Sequence, residues 1–102
     1  MAKSVAVGDK FIIKREKKKV FAKGYKLSKG GQFMVKAGST ISNELTLSLP
    51  AIAREVRKLC EDEGIIVNCK FTKDHPFHSW SLAASVILGF SASGPREWKR
   101  TE

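Results

Sequence analysis

The chain has 102 residues, 19 of them Lys or Arg and 10 Asp or Glu, for a formal net charge of +9. A domain of this length buries roughly 60–70% of the surface its unfolded chain exposes, which allows one small core and excludes a two-lobed enzyme with a deep cleft. With 42% apolar and 28% charged residues the composition is that of a globular protein, and its bias lies in the sign of the charge.

Taken in chain order, the pattern begins with strands. Residues 10–14 and 20–23 are β-branched or aromatic runs separated by residues 15–19, which contain no apolar side chain and read as the loop of a hairpin with a cationic tip. Gly24, Gly30 and Gly31 punctuate a second connection, a third strand is expected at residues 32–36, and Gly38 with Ser39 closes it. Three strands with short links make an antiparallel meander, one face of which packs on helices while the other stays wet.

Helices follow. Ser48 is the expected N-cap of a first helix, with Pro50 in its first turn and Leu49, Ile52, Val56, Leu59, Cys60 and Glu63 at helical spacing before Gly64. Residues 65–67 and 70–72 read as a short hairpin turning at Asn68 and Cys69. A second helix starts near Ser79 and stops at Gly89; it is apolar nearly all round and is therefore expected to be the buried central helix. The fold class is α+β: an antiparallel three-stranded meander, a helix, a short hairpin and a buried central helix. One domain over residues 1–102 is expected, with 1–9 and 100–102 as flexible ends.

The excess charge is not spread evenly. Residues 1–40 carry eleven basic side chains against Asp9 and Glu16, whereas residues 41–102 carry eight of each sign. That asymmetry suits a surface facing a polyanion, with a lysine-rich solvated face as the plainer reading. The residues expected to contact nucleic acid are Lys10, Lys14, Arg15, Lys17, Lys18, Lys19, Lys23, Lys26 and Lys29, with Tyr25 as a stacking residue. The residues from 82 to 90, the longest mostly apolar stretch, span about half a membrane, and no leader or lipidation signal is evident. Cys60 and Cys69 suit free thiols in a reducing compartment, so a cytoplasmic protein without membrane association is expected.

The closing third of the chain carries a resemblance. Phe77, Ser79, Ser81, Ala83 and Ala84, then an apolar turn ending in Gly89, then Ser93-Gly94 and Trp98-Lys99, resemble the closing signature of the bacterial family called domain of unknown function 4357. Ala22 to Gly24, residues 31–35, Gly38-Ser39, Arg57, Leu59, Gly64-Ile65, Phe71 and Asp74 are similar to its earlier pieces, so the resemblance covers roughly residues 20–100. Trp80 stands where that pattern usually has Pro, and Ser93 where it commonly has Asn. The resemblance implies association with GIY-YIG nuclease or restriction-modification modules and similarity to RAMA domains, thought to recognise DNA around modified adenine. It thus implies a DNA-linked role by association, with DNA favoured over RNA and a nuclease or restriction-system protein as a possible partner.

Three further constellations bear on chemistry. The hydroxyls of Ser79 and Ser81, with His78 just upstream, sit where a helix N-terminus binds an anion, although Ser at this position more often caps its helix. Arg96, Trp98, Lys99 and Arg100 form a second basic segment in which Trp98 either stacks on a base or folds back on the core. Cys60, Cys69, His75 and His78 match no common zinc spacing, so no metal or cofactor is expected. No catalytic residue is assigned: the acids lie mainly on the first helix, there is one Tyr, and no nucleophile elbow surrounds Ser79 or Ser81. The leading expectation is a non-catalytic nucleic-acid-binding module; the second is a protein-interaction module, which would be favoured by joint exposure of Phe21, Phe33, Trp80 and Phe90. The sequence leaves the oligomeric state open.

Overall fold

The computed structural model describes residues 8–27 and 31–101. Strand β1 (Lys10–Arg15) runs through a 3₁₀ turn (Glu16–Lys18) into β2 (Val20–Lys26), and β3 (Phe33–Val35) completes the expected meander. Then come helix α1 (Ala51–Asp62), the hairpin β4 (Ile66–Val67) and β5 (Lys70–Phe71), strand β6 (His75–Phe77), helix α2 (Trp80–Leu88), the short helix α3 (Gly94–Glu97) and strand β7 (Lys99–Arg100). The fold is α+β, as the pattern indicates, but its main sheet has five antiparallel strands in the order β6-β3-β2-β1-β7.

The two additional strands were not legible because each is too short to show a period. β6 joins β3 through Phe33 opposite Phe77 and carries Pro76 opposite Met34, which suits an edge. β7 joins β1 through Ile12 opposite Lys99 and Phe11 opposite Arg100. The segments expected to be loose ends are tied down where they are described: Gly8 N donates to Lys26 O at 2.8 Å, and Thr101 N to Lys10 O at 3.0 Å. Residues 1–7 and 102 lie outside the described residues.

Alternation along the strands sorts side chains to two faces. Phe11 and Ile13 on β1, Val20 and Ala22 on β2, and Phe33 and Val35 on β3 point inward and are buried. Helix α2 packs on this face with Ala83, Ala84, Val86, Ile87 and Leu88 buried, so it is the central helix the sequence indicates. Ser79 Oγ accepts from Leu82 N at 3.0 Å and caps it, and Gly89 ends it in the left-handed region at φ 82°.

The inner face is anchored by aromatics. Phe11, Phe33, Trp80 and Trp98 form a cluster with ring centroids 4.6 to 6.4 Å apart, within the range where such pairs add about 0.5–1.5 kcal/mol each. Gly24 makes room for it. A Cβ built there would lie 2.3 Å from Phe33 Cε2 and 2.7 Å from Met34 O, so any side chain would collide with the ring and the neighbouring strand.

Helix α1 departs from expectation at both its start and its stripe. Its N-cap is Pro50, without a side-chain cap, while Ser48 Oγ instead meets Thr46 Oγ at 2.9 Å and accepts from Ser91 N at 3.3 Å. The buried residues are Ala53, Arg57 and Cys60, and Ile52 and Leu59 are each 58% exposed. The Arg57 guanidinium is buried because it is satisfied: Nη1 donates to Val86 O at 3.3 Å and Nε approaches Glu61 Oε2 at 3.5 Å. An apolar count along the helix cannot anticipate a buried cation that bonds the backbone of α2.

Candidate nucleic-acid interface

The face of the main sheet away from α2 is built by the alternate residues of the same strands. Lys10, Ile12 and Lys14 of β1 lie opposite Tyr25, Lys23 and Phe21 of β2, and Tyr25 lies opposite Met34 of β3. Lys36, just past β3, is exposed and donates its backbone N–H to Lys23 O at 2.8 Å, and Lys99 enters the same face opposite Ile12. Five lysines therefore converge on one face from four consecutive segments of sheet, with apolar side chains between them.

Two of the lysines sit over the aromatic rings. Lys23 Nζ is 5.5 Å from the Phe21 ring centroid and Lys36 Nζ 5.8 Å from that of Tyr25. Phe21 is 44% exposed, which leaves much of its ring accessible. A shallow concavity of about 390 Å³ opens between β1 and β2, lined by Lys10, Phe11, Ile12, Lys23, Gly24, Tyr25, Lys36 and Thr101. A second, of about 250 Å³, lies beside Phe21 and Lys23 against Ala37, Gly38 and Ser39.

Carboxylates touch this face at its margins. Asp74 accepts from Ala37 N at 2.7 Å and pairs with Lys36 at 3.4 Å; the Ala37 N–H above all, then Lys36, holds its carboxyl below the usual range. Glu16 pairs with Lys14 at 3.6 Å near the hairpin tip. Exposed pairs of this kind contribute little to stability and leave the lysines available to other anions.

The cations expected to act together divide among several places. Lys10, Lys14, Lys23 and Tyr25 share the outer face, and Lys17 and Lys19 are exposed at the tip. Arg15 turns to Glu97 in an ion pair, and Lys18 reaches toward Glu44 at 4.0 Å and over the Phe90 ring at 5.3 Å. Lys26 falls on the inner side by alternation, with its ammonium 5.5 Å from the Trp80 ring centroid. Arg15 and Lys26 belong with the helical side because their strand partners, Val20 and Phe33, are inward residues, whereas Lys18 sits in the 3₁₀ turn and is carried there by its contact with Phe90. Lys29 lies outside the described residues. Sequence reasoning missed Phe21, Met34, Lys36 and Lys99 as parts of the face; strict alternation from Lys10 and from Phe21 would have gathered the first strand pair, whereas Lys99 required knowledge of β7.

Of the two alternatives for Trp98, the fold-back on the core is the one observed. Trp98 is buried, its ring centroid 4.6 Å from that of Phe33 and its Nε1 donating to Trp80 O at 2.9 Å, so it closes the core and is withdrawn from base stacking. Arg96 is exposed, and Arg100 pairs with Asp9 at 3.3 Å at the sheet edge. At His78, Ser79 and Ser81, the possible anion site, the favoured capping role of Ser79 is the one observed. The Ser79 hydroxyl caps α2, the Ser81 hydroxyl accepts from Gly94 N at 2.8 Å, and His78 is exposed.

Phe21, Phe33, Trp80 and Phe90 do not form one exposed patch: Phe33 is buried, Trp80 and Phe90 pack against the core, and Phe21 stands on the opposite face. Cys60 is buried, and that burial, reinforced by Glu63 and Glu61, pushes its thiol up to about 11, which keeps it a protonated core residue. Among the described residues no group of three or more His, Cys, Asp or Glu side chains is placed to hold a metal ion. No described helix is long and apolar enough to cross a membrane.

Fold and site together define a class: an α+β domain with one sheet face sealed by helices and the other left open, cationic and aromatic. The chain belongs to the family described as Domain of unknown function (DUF4357), whose model matches residues 11–102. The match begins inside β1, so the strands of the basic hairpin lie within the family's own domain. No curated protein and no solved structure matches the chain.

Proposed function

We propose that this chain is a non-catalytic nucleic-acid-binding module of the cytoplasm, acting on DNA in preference to RNA, that uses the outer sheet face together with Lys17 and Lys19 of the hairpin tip. The observation that carries the reading is the convergence of Lys10, Lys14, Lys23, Lys36 and Lys99 on one sheet face that, among the described residues, no helix covers. Concentrated positive charge raises the local concentration of a polyanion, and each ammonium that meets a phosphate releases a condensed counterion.

The test is a salt titration of binding. With about five phosphates engaged, log affinity falls against log salt with a slope near −4.5 on duplex DNA and about −3.5 on a single strand. A flat dependence, or failure to bind at low salt, removes the proposal.

A second reading has its own observation. Ile52 and Leu59 leave an apolar flank on α1, next to a groove of about 220 Å³ lined by Val56, Leu59, Ile65, Phe77 and Leu82 among others. That flank suits a protein-interaction module docking on a nuclease or restriction-system protein. Its discriminator is a binding partner lost on Ile52→Glu and retained on reversal of the face lysines.

A further inference from the structure

We infer that the outer sheet face takes single-stranded DNA, with unpaired bases stacked on Phe21 and Tyr25 while Lys10, Lys14, Lys23 and Lys36 follow the phosphodiester backbone. This rests on the nucleic-acid reading above and specifies the form of the strand.

The two forms of nucleic acid offer a protein different groups. A duplex presents phosphates and groove edges and keeps its base planes inside the stack, so a flat cationic sheet needs only lysines to hold it. A single strand also presents base π-faces, which stack on aromatic side chains without regard to sequence. The outer face has both parts. Phe21 and Tyr25 are four residues apart on β2, hence on the same side and about 13–14 Å apart along the strand, with Lys23 between them. Each ring has an ammonium 5.5 to 5.8 Å from its centroid, on a side chain long enough to exchange the ring for a phosphate when a base arrives.

Phe21 stands exposed and Tyr25 half-buried on the outer face. The same strand buries Val20 and Ala22 on its other side, and the core is already closed by Phe11, Phe33, Trp80 and Trp98. Phe21 at 44% exposure thus contributes area to solvent that a polar residue would fill at lower cost. The concavity of about 390 Å³ beside Tyr25 falls in the range of small-molecule sites and accommodates one splayed nucleotide. Its lining is mainly the methyl and methylene groups of Ile12 and the lysine stems, with the Tyr25 and Thr101 hydroxyls as its neutral polar side-chain groups. A deoxyribose C2′ methylene packs on that apolar surface without desolvating a hydroxyl, whereas a ribose 2′-hydroxyl there must turn to one of those two hydroxyls or to a lysine.

The experiment uses the full chain and three fluorescently labelled 12-mers at low salt: oligo-dU, its duplex with oligo-dA, and oligo-rU. Binding is measured for the parent, Phe21→Ala/Tyr25→Ala, Phe21→Leu/Tyr25→Leu, which keeps apolar bulk without a π-face, and Lys10→Glu/Lys23→Glu. Circular dichroism melts check that each folds. The parent is expected to bind oligo-dU most tightly, and both aromatic replacements to lose about 100-fold on it while changing duplex binding less than about threefold. Unchanged oligo-dU affinity in a folded aromatic variant, with the lysine variant weakened on both forms, overturns the stacking platform and leaves nucleic-acid binding standing. Oligo-rU binding as tight as oligo-dU overturns the deoxyribose assignment. No binding of the parent to any of the three removes the underlying reading as well.

Discussion

The inner and outer faces of the main sheet are made by the same strands and differ residue by residue. Inward, Phe11, Ile13, Val20, Ala22, Phe33 and Val35 meet α2 and are buried; outward, Lys10, Ile12, Lys14, Phe21, Lys23, Tyr25 and Met34 meet solvent. Those inward positions are uniformly apolar, whereas the outward ones mix two aromatic rings, an isoleucine and a methionine with lysines, the combination on which the proposed interface rests.

Reversing charge on the outer face has the largest expected effect. Converting Lys10, Lys14, Lys23 and Lys36 to Glu together is expected to lower nucleic-acid affinity by about 100-fold or more, since several charge-assisted contacts are lost and repulsion replaces them. Converting Lys18 and Lys26 to Gln, both on the helical side, is expected to change it less than about threefold. Fluorescence anisotropy at fixed salt reads both, and equal losses in the two sets would erase the distinction between the faces.

A smaller effect sharpens the distinction from the inner side. Gly24→Ala places a methyl against the Phe33 ring and the Met34 carbonyl, and is expected to destabilise the fold by about 1–3 kcal/mol without removing any outward side chain. Urea unfolding measures the loss.

The smallest effect concerns pH. His75 is partly buried on β6 beside Phe77, and desolvation, opposed by Glu63 and aided by Lys73, holds its pKa below the ordinary 6.5. The unfolded chain therefore takes up the proton first, so stability is full above about pH 6.5 and declines as pH falls toward the folded value. Denaturant midpoints at pH 7.5 and 5.5 are expected to differ by less in His75→Gln than in the parent. Binding corrected for folded fraction is expected to stay level between those two pH values.

Much of this architecture is legible in the sequence because periods are long enough to see. The alternation in the first two strands, the all-round apolar character of residues 80–88 and the Gly89 stop lead to a meander over a central helix. What escapes is whatever depends on distant partners. Arg57 is inside α1's stripe because Val86 offers a carbonyl, Trp98 is inside the core because Trp80 offers another, and Lys99 joins the outer face because a two-residue strand pairs with β1. The cationic site was visible as composition, but its membership follows register, which assigns Arg15 and Lys26 to the other side and brings in Lys36.

Pro76 on β6 has a consequence for the molecule among its own copies. A sheet edge with unpaired backbone groups invites a strand of another copy to add alongside it and begin a fibre. Here one margin is three residues long and lacks a donor at its middle position, and the other is a two-residue strand of Lys99 and Arg100. Each margin thus offers an incoming strand too few bonds or too much repulsion to extend the ladder, so the edges are kept from templating self-assembly.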